Sequence, residues 1–180
     1  MLSPLYSESA IADRVQDIAD KLNKAYGEEE LVHIVVTLSG AFIFSADLIR
    51  LLNFPIVVHF SGAAPYMGEE EPQSNLRVNA DEIPSSFGNR PVVIIEDIVD
   101  SGNTLKKLRQ IVADRMASSI EVATLLKRQE TGVKADYFGF TIPKNLFVVG
   151  YGLDLDGRYR ELKEIKTVGV ISQSDSKTMC

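Results

Sequence analysis

Strand-length runs of apolar, mostly β-branched residues recur along this chain and constrain its fold more than any other feature. They are LVHIVVTL (31–38), IVVHF (56–60), VVII running into Glu96 and Asp97 (92–97), and IEVATLL (120–126). Runs that stay apolar on both faces suit parallel strands covered on both sides, since a half-exposed strand would alternate with polar residues. Segments of helical period lie among them. Ile11, Val15, Ile18, Ala19, Leu22 and Tyr26 recur at steps of three and four and predict a helix over 9–26, stopped by Gly27 and three glutamates. A second helix is expected from about Ala41 to Leu52, and a third carries Leu105, Leu108, Ile111, Val112 and Met116 on one face. Residues 31–60 therefore read as a right-handed βαβ unit. LRVNA (76–80), YFGFTIP (137–143) and LFVVGYG (146–152) are further strand pieces. Strands alternating with helices predict an α/β domain with a mostly parallel, twisted sheet flanked by helices. SGAAPYMGEEEPQSN (61–75) has no periodicity and reads as a long mobile loop, and the polar tail from Ser172 (172–180) reads as loose.

Length and charge narrow the function. The 180 residues suffice for one domain with a sizeable core, so 1–180 is read as a single unit. No apolar run approaches a membrane span, so no membrane partner is expected. The stretch MLSPLYSESAIADR lacks a basic region followed by an apolar one, so no secretory signal is expected. The single cysteine, Cys180, allows no intrachain disulfide and fits a reducing, cytoplasmic location. His33 and His59 lie in strand-like runs without zinc-ligand spacing and read as core or edge residues. A net charge of −6 argues against nucleic acid as the main partner. It leaves room for small phosphorylated substrates, which backbone amides and one or two basic groups can hold.

Why should a buried strand run into two adjacent acids? In open parallel sheets, ligands bind beyond the carboxyl ends of the strands. Ser39-Gly40, the 61–75 loop, Glu96-Asp97 and Lys127 all fall at such ends and should converge on one crevice. Asp100-Ser101-Gly102-Asn103-Thr104 is a short, glycine-containing turn entering a helix, able to aim several N–H groups and two hydroxyls at one phosphate. It is not a Walker loop, because the lysine and the flanking glycines are missing. Acids beside a phosphate site would repel it unless they bind something else. Carboxylates only accept hydrogen bonds, so the vicinal hydroxyls of a sugar suit them, and so does magnesium. Phosphate, hydroxyls and magnesium together describe a ribose-phosphate substrate. A single acid at a βα turn would be a plain surface charge; the whole string carries the reading.

EDIVDSGNTL resembles the phosphoribosyl-pyrophosphate motif of type I phosphoribosyltransferases. LSGAFIFSADLIRLL (38–52) is similar to the first active-site loop and helix of the hypoxanthine-guanine phosphoribosyltransferases. The block LLKRQETGVKADYFGFTIPKNLFVVGYGLDLDGRYRELKEI (125–165) resembles their purine-binding region and terminal segment. The resemblance spans roughly residues 31–165 and implies that family's fold, with a small hood built from the terminal segments. It implies purine salvage: transfer of the phosphoribosyl group to N9 of hypoxanthine and/or guanine, giving IMP or GMP and pyrophosphate. Glu96 and Asp97 would hold the ribose hydroxyls, directly or through Mg2+. Asp100, Ser101, Gly102, Asn103 and Thr104 would hold the 5′-phosphate, and Asp100 would be the acid/base group near purine N7. Lys127 would donate to O6, Phe147 would stack on the purine, and Val148 would offer backbone groups to its edge. Asp154 would bind a second Mg2+ beside the purine site, Arg160 would contact pyrophosphate, and Ser39 and Gly40 would bind pyrophosphate around a cis Leu38–Ser39 peptide. Relatives are homodimers or homotetramers, with the 41–52 helix as an interface.

Two departures stand out. Relatives often carry a basic residue where Ser39 stands, and a Ser-Tyr pair in the loop where this chain has Ser61-Gly62 with Tyr66 and Glu69-Glu70-Glu71. The competing readings are a nucleotide-binding sensor that keeps the cradle without turnover, and an RNA-binding regulator on the same fold, which the acidic balance disfavours.

Overall fold

The computed structural model describes residues 2–65, 76–129 and 131–169. Its centre is a six-stranded sheet. In chain order the strands are β2 (Val32–Leu38), β3 (Ile56–Pro65), β4 (Leu76–Val78), β5 (Val92–Val99), β6 (Ile120–Arg128) and β7 (Tyr137–Ile142), and their spatial order is β4-β3-β2-β5-β6-β7. Only the β3–β4 pair is antiparallel. A second, three-stranded sheet joins the two ends of the chain. In it β9 (Ile165–Val168) lies between β1 (Leu2–Tyr6) and β8 (Val148–Val149), antiparallel to both. This is the hood.

Helix α1 (Glu8–Ala25) starts where the Ser7 hydroxyl accepts from the Ala10 amide at 3.2 Å, with Glu8 in its first turn and Lys24 in its last. It packs with α2 (Phe42–Ile49) on one face of the sheet, where Ile18, Leu22, Phe44 and Leu48 meet Ile34, Val36, Val93 and Ile95. Helix α3 (Asn103–Asp114) covers the other face, where Leu105, Leu108 and Val112 join Val35, Ile94 and Val122. Ile34, Val35, Ile94 and Ile95 are all fully buried, which is why the runs on β2 and β5 do not alternate. Among the described residues no helix is long and apolar enough to cross a membrane.

Several boundaries differ from the sequence reading. β3 continues through Ser61–Pro65, residues assigned above to a loop, because the β2 register carries on as Thr37↔Ser61 and Leu38↔Gly62 and β4 pairs beyond it. The rest of that loop, 66–75, and the tail 172–180 lie outside the described residues. β5 runs past the acids to Val99, held by Val99↔Lys127 pairing with β6. Met116 is not on a helix face: α3 ends at Asp114, and Met116 is exposed with φ 60°. The 146–152 segment contributes only the two-residue β8, and it joins the hood rather than the main sheet.

The two histidines form a pair. His33 Nδ1 and His59 Nε2 lie 2.9 Å apart, with both rings edge-on to Phe87. One ring donates and the other accepts, so a second proton would set two donors against each other. Burial lowers both pKa values, and for His33 the charges of His59 and Arg90 add to it. Depressed folded-state values mean that the stabilisation is present above about 6.5, the unfolded value, and is lost as pH falls through the folded values. Thermal midpoints should therefore fall more between pH 7.5 and 5.5 in the wild type than in His33→Asn/His59→Gln, a difference that isolates the pair from other titrating groups. Equal slopes would show that the pair does not titrate on unfolding.

Candidate active site

Glu96 and Asp97 are neighbours near the end of β5, with their carboxylates close enough to interact. Glu96 lines a small pocket of about 70 Å³ together with Ile98, Val99 and the Asp100–Leu105 turn. Asp97 points instead to the β2–α2 turn, so close to Gly40 that a Cβ built there would overlap its carboxylate. The Asp97 Oδ1 accepts from the Ile98 amide at 2.9 Å. Both residues keep part of their surface open, yet Oε2 of Glu96 is sealed and lacks a hydrogen-bond partner. Burial pushes the Glu96 carboxyl well above its ordinary range, and the neighbouring Asp97 charge pushes it further. Burial raises Asp97 as well, opposed by the Ile98 amide and by the Arg160 charge.

The turn from Asp100 to Thr104 enters α3 through Gly102, at φ +73°, which fills the N-cap position without any side-chain cap. The left-handed φ favours glycine, and a Cβ there would also overlap Val133. The first amides of α3 thus keep the donor capacity and positive dipole end that an anion needs. Asn103 N has only a long contact, 3.5 Å, to the Ser101 hydroxyl. Asp100 leads the turn, 60% exposed, beside Arg128.

Of the remaining predicted residues, Ser39, Gly40, Asp154 and Arg160 gather on the Asp97 side, while Lys127 lies on β6 and Phe147 and Val148 lie in the hood segment. The Leu38–Ser39 peptide is cis, as expected, and Gly40 follows it. Gly152 passes so close to Gly40 that a Cβ on it would meet the Gly40 carbonyl. Arg160 Nη1 donates to the Gly152 carbonyl at 2.6 Å, and its Nη2 pairs with Asp154 Oδ1 at 2.8 Å. Asp154 Oδ2 accepts from Gly157 N at 2.7 Å, so both its oxygens already have protein partners. Lys127 stands next to Val99 across the β5–β6 ladder, its ammonium 4.9 Å from the centre of the Phe138 ring. Phe147 is 47% exposed, while Val148 is buried at the edge of the hood. A larger hollow, about 610 Å³, lies between α1, α2 and residues 161–163 and holds none of these residues. Its polar lining residues are partly paired with one another, as Tyr151 and Arg50 are with Asp47, and the phosphate-cradle turn and the paired acids lie in the crevice, to which the site is assigned.

Arg128 went unrecognised in the sequence. It reads as a solvated charge ending a strand, yet it is 12% exposed and reaches both Asp100 and the 143–146 turn.

Comparisons with known proteins agree with this geometry. The family described as the phosphoribosyl transferase domain matches residues 2–156. The hypoxanthine phosphoribosyltransferase of Haemophilus influenzae is 34% identical over 169 residues, covering 91% of this chain and 93% of the relative. The hypoxanthine-guanine phosphoribosyltransferase of Dictyostelium discoideum is 34% identical over 165 residues, 88% and 90% of the two chains. A crystal structure of the hypoxanthine phosphoribosyltransferase of Staphylococcus aureus superposes with a TM-score of 0.81 at 32% identity, covering 93% of this chain and 91% of that one. That of a Bacillus anthracis hypoxanthine-guanine phosphoribosyltransferase gives 0.82 at 30% identity, covering 93% and 98%. With the match running through both the sheet and the crevice, the chain belongs to the phosphoribosyltransferase family.

Proposed function

We infer that this chain is a 6-oxopurine phosphoribosyltransferase of purine salvage, acting in the cytoplasm as a single 1–180 domain. It transfers the phosphoribosyl group of 5-phosphoribosyl 1-pyrophosphate to N9 of hypoxanthine and/or guanine and releases IMP or GMP with pyrophosphate. One observation carries the reading above the rest: Glu96, with one carboxylate oxygen sealed and without a hydrogen-bond partner, lines the same small pocket as an uncapped helix start.

The turn from Asp100 to Thr104 holds the 5′-phosphate, and Glu96 and Asp97 hold the ribose hydroxyls. Ser39, Gly40 and Arg160 hold the pyrophosphate. As N9 bonds to C1′, the C1′–oxygen bond to pyrophosphate breaks and its electrons leave with that group. Asp100 accepts the proton that N7 gives up and stabilises positive charge on the ribose ring. Lys127 donates to O6, Phe147 stacks on the base, and backbone groups of Val148 meet its edge.

Mg2+ fits this site. Among the described residues no group of three or more His, Cys, Asp or Glu side chains gathers as a metal cage. Mg2+ usually takes only one or two carboxylates and completes its shell with water and substrate phosphates. Glu96 and Asp97 would supply the first ion with two neighbouring, partly open carboxylates whose mutual repulsion it relieves. Asp154 would serve the second, sharing oxygens that have spare lone pairs. Bound there, the cations would offset the charge of the phosphates and of the departing pyrophosphate. Self-association as a homodimer or homotetramer is supported by Leu38, Phe42 and Leu51, large apolar side chains 37–42% exposed around α2.

The test is nucleotide formation from phosphoribosyl pyrophosphate and Mg2+ with hypoxanthine, guanine, xanthine and adenine offered separately. Turnover of hypoxanthine or guanine without adenine is expected. A site built to hydrogen-bond O6 leaves a buried donor unpaired against adenine, which carries an amino group there. Turnover of adenine alone would overturn the base assignment, and none with any base would overturn the reaction.

A further inference from the structure

Arg128 closes β6 with its side chain turned inward, 12% exposed. Its Nη1 donates to three carbonyl oxygens, those of Pro143 at 3.1 Å, Lys144 at 2.8 Å and Leu146 at 2.8 Å. These carbonyls form the turn that delivers Phe147 and Val148. The same guanidinium sets Nε 3.0 Å from Asp100 Oδ2. The two charges touch, but the Nε–H is not aligned on the oxygen and has no hydrogen-bond partner. A sealed donor without a partner is costly, and the Asp100 carboxylate, 60% exposed, has room to turn towards it.

We propose that Arg128 is a positioning residue that ties the purine loop to the acid–base group. One planar fork clasps the backbone under Phe147 on one side and holds the Asp100 carboxylate on the other. A base seated on that loop then arrives at a set distance from Asp100. A lysine cannot do both, because its ammonium is a compact point charge, whereas the guanidinium presents donors in several fixed directions. The inference rests on the purine-transferase reading for the identity of the base, while the clasp itself stands on the distances above.

The test is steady-state kinetics in both substrates for the wild type, Arg128→Met, Arg128→Lys, Asp100→Asn and the Asp100→Asn/Arg128→Met double variant, with thermal midpoints alongside. In Arg128→Met the purine KM should rise about 10-fold and kcat fall about 10- to 100-fold, with the KM for phosphoribosyl pyrophosphate within about 2-fold of wild type. Arg128→Lys should restore kcat to within a few-fold, through the charge beside Asp100, and keep the raised purine KM. On the Asp100→Asn background, Arg128→Met should lower kcat no further, because its effect on kcat passes through Asp100. A lowered midpoint with unchanged kinetic constants, or an equal loss of kcat on both backgrounds, would overturn the proposal. Amide hydrogen exchange reads the clasp without any turnover. The Leu146 and Phe147 amides should exchange faster in Arg128→Met and Arg128→Lys but not in Asp100→Asn, and unchanged exchange in the two arginine variants would overturn it. Absence of wild-type turnover would instead count against the purine reading, leaving exchange to decide the clasp.

Discussion

Asp100→Asn lowers kcat by about 10²- to 10⁴-fold, the range that a positioned general acid or base supplies, and leaves the fold intact. The side chain is 60% exposed, and Arg128 lies beside it without an aligned hydrogen bond. Ion pairs that open to water contribute little to stability, so neutralising this one should move the thermal midpoint only slightly. Asparagine keeps the size and one acceptor oxygen of the carboxylate. It cannot take up the N7 proton, and it carries no charge to set against the positive charge that develops on the ribose. On the proposed reading, binding of phosphoribosyl pyrophosphate depends instead on the amides at the start of α3 and on Glu96 and Asp97, which the substitution leaves in place. The expected signature is therefore a loss in kcat with the KM for phosphoribosyl pyrophosphate nearly unchanged. A loss below about 3-fold, far under what general acid–base chemistry supplies, would move that role to another residue.

The parts of the fold that follow from local pattern were legible, and the parts made by distant pairing were not. α1 could be read because Ile11, Val15, Ile18 and Leu22 repeat at helical steps, and all four are buried. The β2, β5 and β6 runs could be read because burial on both faces keeps their centres apolar but for Thr124. β1 and β9 escaped because neither has a strand pattern of its own: LSPLY contains a proline, and its partners Thr167 and Val168 lie at the far end of the described chain. In the candidate site, the Asp100–Thr104 turn was legible as a short glycine-containing entry to a helix, which is what the structure has there. The continuation of β5 past the acids to Val99 was not, because it is set by pairing with a distant strand, Val99↔Lys127. Arg128 was hidden for a related reason. No spacing rule says that a basic residue ending one strand folds back onto carbonyls 15 to 18 residues downstream.

Gly40→Ala should cost about 10²-fold in kcat/KM for phosphoribosyl pyrophosphate, the scale of a misplacement near 1 Å in a catalytic constellation. The added methyl would overlap the Asp97 carboxylate, so one of the two must move. Movement of Asp97 breaks its hydrogen bond from the Ile98 amide and takes it away from the Arg160 charge. Movement of the turn presses the Gly40 carbonyl towards Gly152, where the backbones already pass too closely for any side chain on Gly152. Either way the pyrophosphate turn and the ribose carboxylate lose register with each other. The core under them should be little changed, since the cluster that Phe44 and Leu48 of α2 join contains neither Gly40 nor Asp97. Global stability should therefore change much less than activity. A cycle with Asp97→Ala separates the two routes. If the methyl acts through Asp97, adding Gly40→Ala to Asp97→Ala should have almost no further effect, because the group it displaces is gone. If the losses multiply instead, the alanine acts through the turn and the Gly152 contact, and the pyrophosphate loop itself is what Gly40 protects.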